Sequence, residues 1–229
     1  MAANRNLHIK NAVASSQQTS NPLSPKPVWG SEPAWDVATL FPPQGQWSSA
    51  EYLSLTNSTN RLVEFDGGRI EVLPMPTESH QFIVRFLFLA LHGFVAAWKL
   101  GQVVFAPIRV RTLPDKYREP DVALMLAEND SRRSNHFWSG ADLVMEVVSD
   151  DPESRARDIE DKRAEYALAG IREYWIVDPQ EQQITVLQLA SARYERHGIF
   201  KVGDNASSSL LAGFSLDVTQ VFAAAEGAS

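Results

Sequence analysis

The stretch DLVMEVVSDD, residues 142–151, places one carboxylate inside a segment that is otherwise suited to burial. Its apolar residues are Leu143, Val144, Met145, Val147 and Val148. A nearly continuous apolar run of this length is typical of a central strand that is covered on both faces of a sheet. Glu146 interrupts the run, and a buried carboxylate is costly unless it is paired, hydrogen-bonded or bound to a cation. The stretch therefore predicts a central strand that carries one functional or ion-paired glutamate.

A second carboxylate occurs in a similar context. Asp121 opens the apolar segment of EPDVALML, residues 119–126. Carboxylates on two neighbouring strands suggest a shared cation, and carboxylate oxygens completed by water are the ligands that Mg²⁺ prefers. Two structural alternatives remain open at this point. Glu146 could form an ion pair with Lys162 or an arginine, and Asp121 could cap or terminate a strand after Pro120, since Pro-Asp is common in turns.

Lys162 is the third candidate residue. If Ile159, Tyr166 and Ala169 or Gly170 form the inward stripe of a helix, Lys162 lies on that stripe. A lysine on a buried face needs an anionic partner, and Glu146, Asp121 or a bound phosphate could supply it. The alternative is an exposed ion pair with Asp158, four residues earlier, which is common on helix surfaces and contributes little stability.

The order of secondary-structure patterns predicts an α/β fold in which helices flank a mixed central β-sheet. Ser48 and Glu51 have the spacing of a capping box and predict a helix start. The predicted elements that follow are a hairpin in 61–76, a long buried helix from 77 that ends at Gly101, strands in 102–112, 118–126 and 142–149, a helix in 154–170, and strands in 172–178, 182–190 and 193–218. Polar residues within the long helix argue against a membrane span.

Composition limits the class of protein. The chain has 229 residues, a formal net charge of -7 and no cysteine. We expect a flexible N-terminal arm over residues 1–28, because this segment is polar, and a single domain over residues 29–229. Neither a signal peptide nor an anchor is expected, so we predict a cytoplasmic protein. The acidic charge argues against a broad electrostatic surface for nucleic acid, so any basic patch must be local.

Taken together, four segments resemble the Uma-type family of restriction-endonuclease-like proteins, a branch of the PD-(D/E)XK nuclease superfamily. The segments are LVEFDGGRIEVLPMPTESHQ, REPDVALML, DLVMEVVSDD and RDIEDKRAEYALAGIREYWIVDP, and the similarity extends from Ser48 to Leu189. Pro120 and Asp121 match the PD element, and Glu146 matches the acidic residue of the next strand. The superfamily lysine would follow two residues later, where this chain has Val148; in the Uma-type pattern Lys162 takes its place from the helix.

The resemblance implies a restriction-endonuclease-like core and a Mg²⁺-dependent endonuclease. Asp121 and Glu146 would bind Mg²⁺, for which Mn²⁺ could substitute, while Lys162 would orient water or stabilise charge. Glu64 matches an upstream catalytic glutamate of the family, and His80 matches a histidine that opens the long helix and is a further possible metal ligand. Local structural roles are the alternative for both residues.

The implied substrate is nucleic acid, with DNA as the first expectation, and the implied assembly is a homodimer that pairs two sites. A catalytically inactive nucleic-acid-binding protein and a hydrolase of another phosphate ester are the competing functions. A group of basic residues could contact phosphates or could form part of a solvated surface of mixed charge. These residues are Arg109, Arg111, Lys116, Arg118, Arg132, Arg133, Arg155 and Arg157.

Overall fold

The segment around Glu146 forms a strand at the centre of the sheet, as its apolar pattern predicts. In the computed structural model, the residues described are 40–59, 61–150 and 152–227. All five residues of this strand, Leu143–Val147, are buried. The expected arm over residues 1–28, and the boundary that follows it, lie outside the described residues. From Pro42 onward the described residues form one unit.

This unit is built on a six-stranded sheet. Its strands are β3 (Gly101–Phe105), β6 (Val122–Leu126), β7 (Leu143–Val147), β8 (Glu173–Asp178), β9 (Gln183–Ala190) and β10 (Arg193–Lys201). Their order in the sheet is β10-β9-β8-β7-β6-β3, and the pair β7–β8 is parallel whereas the other pairs are antiparallel. The sheet is therefore mixed, as predicted.

A four-stranded sheet with the order β2-β1-β5-β4 and a small β11–β12 pair complete the β-structure of the described residues. Their bounds are β1 (Val63–Asp66), β2 (Arg69–Val72), β4 (Val110–Leu113), β5 (Lys116–Arg118), β11 (Asn205–Ser207) and β12 (Ser215–Asp217). The hairpin predicted in 61–76 is confirmed as β1–β2.

Two predicted strands are each divided between the two sheets. The segment 102–112 covers most of β3 and of β4, and the segment 118–126 covers the last residue of β5 and all of β6. Pro107 and Pro120 stand at the two breaks. Proline has no N–H group with which to continue a ladder, so each strand ends there and the chain crosses to the other sheet.

Helix α1 (Ser49–Thr56) begins with the predicted capping box, in which Ser48 and Glu51 bond each other reciprocally. Helix α2 (Glu78–Ala97) is the predicted long helix, but it ends at Ala97 because Gly101 already pairs with Leu126 in the sheet. Within the described residues, α2 alone is long and apolar enough to cross a membrane. Its buried face packs into the main core instead, through Ile83, Val84, Leu87, Leu91 and Val95.

The chain returns from β7 to β8 through a helical segment on one face of the sheet. This segment consists of α3 (Pro152–Ala156), a π-helical turn (Arg157–Asp161) and α4 (Lys162–Leu168). It includes the helix predicted in 154–170 and presents Lys162 and Tyr166 inward. A short C-terminal helix, α5 (Val218–Ala223), begins where only strands were expected, because Asp217 caps its first N–H groups.

Candidate active site

Asp121 stands immediately before β6, at the end of the sheet nearest the start of α2. The register pairs Val122 with Met145, so Asp121 and Glu146 occupy facing positions on neighbouring antiparallel strands. One Asp121 oxygen, Oδ2, accepts a 2.8 Å hydrogen bond from the Val147 amide and lies 3.3 Å from Nε2 of His80. Asp121 is therefore fixed by the same strand that carries Glu146.

Glu146 is almost fully buried, with 3% of its surface exposed. Its Oε1 accepts a 2.6 Å hydrogen bond from the Tyr166 hydroxyl and lies 2.9 Å from Nζ of Lys162. Burial raises the pKa of Glu146 to about 8, with Asp121 and Asp158 adding to the increase, while Lys162 and Tyr166 oppose it. The negative charge at this position therefore depends on nearby cations and donors.

Lys162 is buried among three carboxylates. Its Nζ lies 2.9 Å from Glu146, 3.0 Å from Asp158 and 3.7 Å from Glu64. Burial alone would lower the pKa of Lys162, but these three carboxylates raise it well above its ordinary value. The amine therefore stays protonated. Of the carboxylates predicted as its partners, Glu146 and Asp158 both bind it, whereas Asp121 is not among its ion pairs.

A cavity of about 460 Å³ connects these side chains to the surface. Its polar lining includes His80, Asp121, Glu146, Asp158 and Lys162, whereas residues around Leu73, Met75 and Ile83 supply an apolar wall. The predicted trio of Asp121, Glu146 and Lys162 thus faces one shared space.

His80 closes one side of this cavity. Its Nε2 lies 3.2 Å from the Val147 carbonyl oxygen as well as 3.3 Å from Asp121 Oδ2. Since both neighbours are acceptors, Nε2 carries the proton. Burial lowers the pKa of His80, but the hydrogen bond and charge of Asp121 raise it overall. Nδ1 is buried and has no hydrogen-bond partner among the described residues.

The oxygen atoms of this site fit a hard divalent cation. Asp121 Oδ2 and the Val147 carbonyl oxygen converge on the point where His80 Nε2 lies, and the carboxylate of Glu146 lines the same cavity. Within residues 40–59, 61–150 and 152–227, three or more His, Asp or Glu side chains are nowhere grouped as a ready metal site. Two carboxylates, a carbonyl and water are nevertheless the kind of shell that Mg²⁺ accepts.

Glu64 does not line this cavity; it lies behind Lys162. Its Oε2 accepts a 3.0 Å hydrogen bond from Arg118, and its Oε1 accepts a 3.3 Å hydrogen bond from the Glu119 amide. Although burial favours the neutral carboxyl, Lys162 and Arg118 hold the pKa of Glu64 below its usual value. The contacts of Glu64 fit a residue that positions Lys162.

Arg118, considered above as a phosphate contact, lies inside the protein. Its guanidinium binds Glu64, Asp66 and Glu165. Toward Glu165, Nε donates to Oε1 and Oε2 at 3.0 Å each, and Nη2 donates to Oε2 at 2.5 Å. Burial lowers the pKa of Arg118, but its hydrogen bond with Glu165 and the charge of Glu64 raise it overall. Arg118 therefore supports the site through Glu64 and Glu165.

The remaining basic residues of that group are engaged with other parts of the chain. Their partners are Asn57 for Arg109, Ser139 for Arg111 and Arg132, Asp66 for Lys116, Asp130 for Arg133, Asp178 for Arg155 and Glu71 for Arg157. Of the original group, Arg157 is the member that lines the cavity.

Two site residues were not predicted as such. Asp158 was considered a surface partner of Lys162, but it is 4% exposed and lines the cavity. The helical pattern predicts that Tyr166 faces inward, but it does not predict the hydrogen bond that Tyr166 donates to Glu146. The π-helical turn begins at Arg157, and such turns occur frequently at functional sites. The four-residue spacing predicts that Asp158 pairs with Lys162. The burial of this pair could not be predicted from the spacing, because it depends on how the helix packs against the sheet.

A protein-family model matches residues 49–219 of this chain; the model is Uma2, described as "Putative restriction endonuclease". The chain belongs to the Uma2 family. This confirms the resemblance found between Ser48 and Leu189 and extends it to the start of α5. The comparison with curated proteins gives no match.

A solved structure from Anabaena variabilis ATCC 29413, described as "a putative nuclease belonging to DUF820", has a similar fold. The TM-score is 0.60 and the sequence identity is 18%, over 76% of this chain and 98% of that protein. At this identity the similarity supports the α/β fold with its mixed central sheet. The Uma2 member described here shares that protein's fold.

Proposed function

We propose that this Uma2 protein is a metal-dependent endonuclease that hydrolyses phosphodiester bonds of DNA. One observation carries the proposal: Asp121, Glu146 and Lys162 face a single cavity in a chain of this family. Two carboxylates near a phosphate-binding cavity would repel the substrate unless a cation lay between them. That arrangement favours metal-assisted hydrolysis over simple binding of nucleic acid.

Asp121 and Glu146, with the Val147 carbonyl, would hold the metal. When bound, Mg²⁺ would polarise a phosphoryl oxygen and lower the pKa of a water molecule. The chain's own contribution begins with the sheet, which fixes the two carboxylates on facing positions. His80 lies against both Asp121 and Val147, so its imidazole must shift or present its lone pair when these oxygens bind a cation.

Lys162 would act as a permanent positive charge. Because three carboxylates raise the pKa of Lys162, its amine stays protonated and does not act as a base. It can hold Glu146 in place, donate a hydrogen bond to the attacking water or a phosphate oxygen, and offset the charge that develops in the transition state. Glu64 and Asp158 would position this ammonium group.

A cut in duplex DNA requires two hydrolytic events, one on each strand. We therefore propose a homodimer in which two such sites act on opposite strands. We also propose a cytoplasmic location, where the protein would meet both DNA and Mg²⁺.

The metal and its ligands can be tested by calorimetric titration with Mn²⁺ and by DNA cleavage in Mg²⁺, Mn²⁺ or EDTA. We expect Asp121→Asn to lose most metal affinity and at least about a hundredfold in turnover, since it removes one ionised ligand. Asp130→Asn, which changes a carboxylate that is 58% exposed and paired with Arg133, is the matched control. Equal metal affinity and cleavage by wild type and Asp121→Asn would remove the proposed site.

A further inference from the structure

Arg157 lies at the first position of the π-helical turn, between two depressions of the surface. It lines the cavity that contains Asp121 and Glu146, and it also lines a groove of about 1010 Å³ beside the β1–β2 hairpin. Its side chain is 13% exposed. The guanidinium is therefore part of the wall that separates the candidate active site from the hairpin.

More acidic than basic side chains line the cavity. The described acidic residues that line it are Glu119, Asp121, Glu146, Asp150 and Asp158, and its lysine and arginine residues are Lys162 and Arg157. Lys162 is already surrounded by three carboxylates within 3.7 Å. A phosphate that enters the cavity therefore needs a second cationic side chain. Among the described residues that line the cavity, Arg157 is the remaining arginine or lysine.

The present partners of Arg157 leave it available. Its Nη1 pairs with Glu71, and its Nη2 donates a 3.3 Å hydrogen bond to the Ser154 hydroxyl. Its Nε is buried, lies 4.0 Å from Asp158 Oδ1 and has no hydrogen-bond partner among the described residues. An arginine with a donor that makes no hydrogen bond can bind a phosphate through two parallel hydrogen bonds, for which the guanidinium is well shaped.

Glu71 is a partner that can be displaced. It lies on β2, an edge strand of the four-stranded sheet, and its side chain is 50% exposed. Ion pairs with one solvated carboxylate contribute little stability, and water replaces the lost contact readily. Glu71 also comes from a different sheet than Asp121 and Glu146, so its release leaves the carboxylates of the site undisturbed.

We propose that Arg157 forms the phosphate-binding subsite of this cavity and that Glu71 is its counter-ion in the free protein, displaced when a phosphodiester binds. The inference rests on the proposed function only for the identity of the phosphate, which is that of a DNA strand. The binding step needs no cleavage.

Replacing Arg157 and replacing Glu71 should then change the affinity for DNA in opposite directions. Arg157→Ala removes a phosphate ligand, so the affinity for DNA falls. Glu71→Gln removes the competing carboxylate, so the affinity for DNA rises. A purely structural ion pair would instead respond in the same direction to either change, since both variants break the same contact.

Binding of a short fluorescein-labelled DNA duplex can be followed by anisotropy, in EDTA and in Mg²⁺, across a range of salt concentrations. For Arg157→Ala we expect affinity to fall at least about tenfold, with a shallower salt dependence. For Glu71→Gln we expect affinity to rise about two- to fivefold. The double variant should bind as weakly as Arg157→Ala.

Two controls separate charge from geometry and folding. Arg157→Lys keeps the positive charge without the planar fork and should bind with intermediate affinity. Arg163→Ala removes an exposed charge from the same helical segment and should leave affinity unchanged. Thermal unfolding of Glu71→Gln and Arg157→Ala checks that both variants are folded.

The binding measurement tests the role of Arg157 whether or not the protein cleaves DNA. Opposite shifts in affinity support the inference even if wild-type protein cuts no DNA, in which case only the proposed function fails. Equal affinities for wild type and Arg157→Ala would overturn the inference even if the protein cleaves DNA. The same conclusion follows if wild type binds no DNA in either condition, or if Glu71→Gln weakens binding.

Discussion

The burial of Lys162 among carboxylates could be predicted in part from its position in the sequence. A lysine on an apolar helical stripe predicts a buried anionic partner, and the structure places three carboxylates around it. The choice between Glu146 and Asp158 could not be made from spacing. Both contacts form, because Lys162 Nζ lies 2.9 Å from Glu146 on β7 and 3.0 Å from Asp158, which is buried beside it. The roles assigned to Asp121, Glu146 and Lys162 stay predictions until they are measured.

Glu64 and His80 illustrate the limit at this scale. Their motif positions suggested roles beside Asp121 and Glu146, yet only His80 touches Asp121, whereas Glu64 contacts Lys162 and Arg118 from behind. Neither location follows from the distance along the sequence, since each depends on how separate strands and helices pack.

Tyr166 provides a prediction at the residue scale. Its hydroxyl donates a 2.6 Å hydrogen bond to Glu146, and the centroid of its ring lies 5.1 Å from the centroid of the Tyr174 ring. Tyr166→Phe should keep the ring contact, lower the free energy of unfolding by about 1–2 kcal/mol and reduce cleavage, because Glu146 loses a donor that fixes its carboxylate. Denaturant unfolding and DNA cleavage rates measure the two effects.

Tyr194→Phe is the matched control for Tyr166→Phe. The hydroxyl of Tyr194 donates a 2.8 Å hydrogen bond to the Ile171 carbonyl, outside the cavity lining. This variant should show a similar loss of stability and an unchanged cleavage rate. Equal loss of activity in both tyrosine variants would show that Tyr166 acts through general stability alone.

At the scale of elements, hydrophobic pattern and turn chemistry identified most of the described fold. The capping box at Ser48, the hairpin around Gly67 and Gly68, the long helix and the central strand are all found. The strands that cross between sheets were not separated, since a proline within a strand pattern does not show which sheet the next residues join. Helix α5 was missed because its six residues are too few to produce a helical period.

Arg118 joins three elements and gives a prediction at this scale. It ties β5 to Glu64 on β1 and to Glu165 on α4, and only 6% of its side chain is exposed. Arg118→Ala should lower the free energy of unfolding by about 3–5 kcal/mol, because two buried carboxylates lose their partner. Urea unfolding followed by circular dichroism measures the change.

Lys116→Ala is the corresponding control on the same strand. Lys116 lies 2.8 Å from Asp66, but its side chain is 31% exposed and that of Asp66 is 45% exposed. Its replacement should cost less than about 1 kcal/mol. Similar losses for the two variants would contradict the view that burial of the Arg118 network sets its importance.

At the scale of the whole molecule, the acidic composition and the candidate site must be reconciled. A net charge of -7 disfavours a wide DNA-binding surface. Within the described residues, however, the cavity holds Lys162 and Arg157 beside its carboxylates, so two cationic side chains lie where a phosphate would bind even though acidic residues outnumber them. The α/β class was evident from element order, whereas the shape of the cavity was not, because its lining comes from segments distant in sequence.

The measurement that tests the central claim most directly is cleavage of supercoiled, linear duplex and single-stranded DNA by wild type and Lys162→Ala in parallel. Each reaction is run with Mg²⁺, with Mn²⁺ and with EDTA, and Arg163→Ala, an exposed neighbour on α4, serves as the control. We predict metal-dependent cleavage by wild type and Arg163→Ala, and a loss of at least about a hundredfold in Lys162→Ala. Cleavage that persists in EDTA, or that is unchanged in a folded Lys162→Ala protein, would contradict the account.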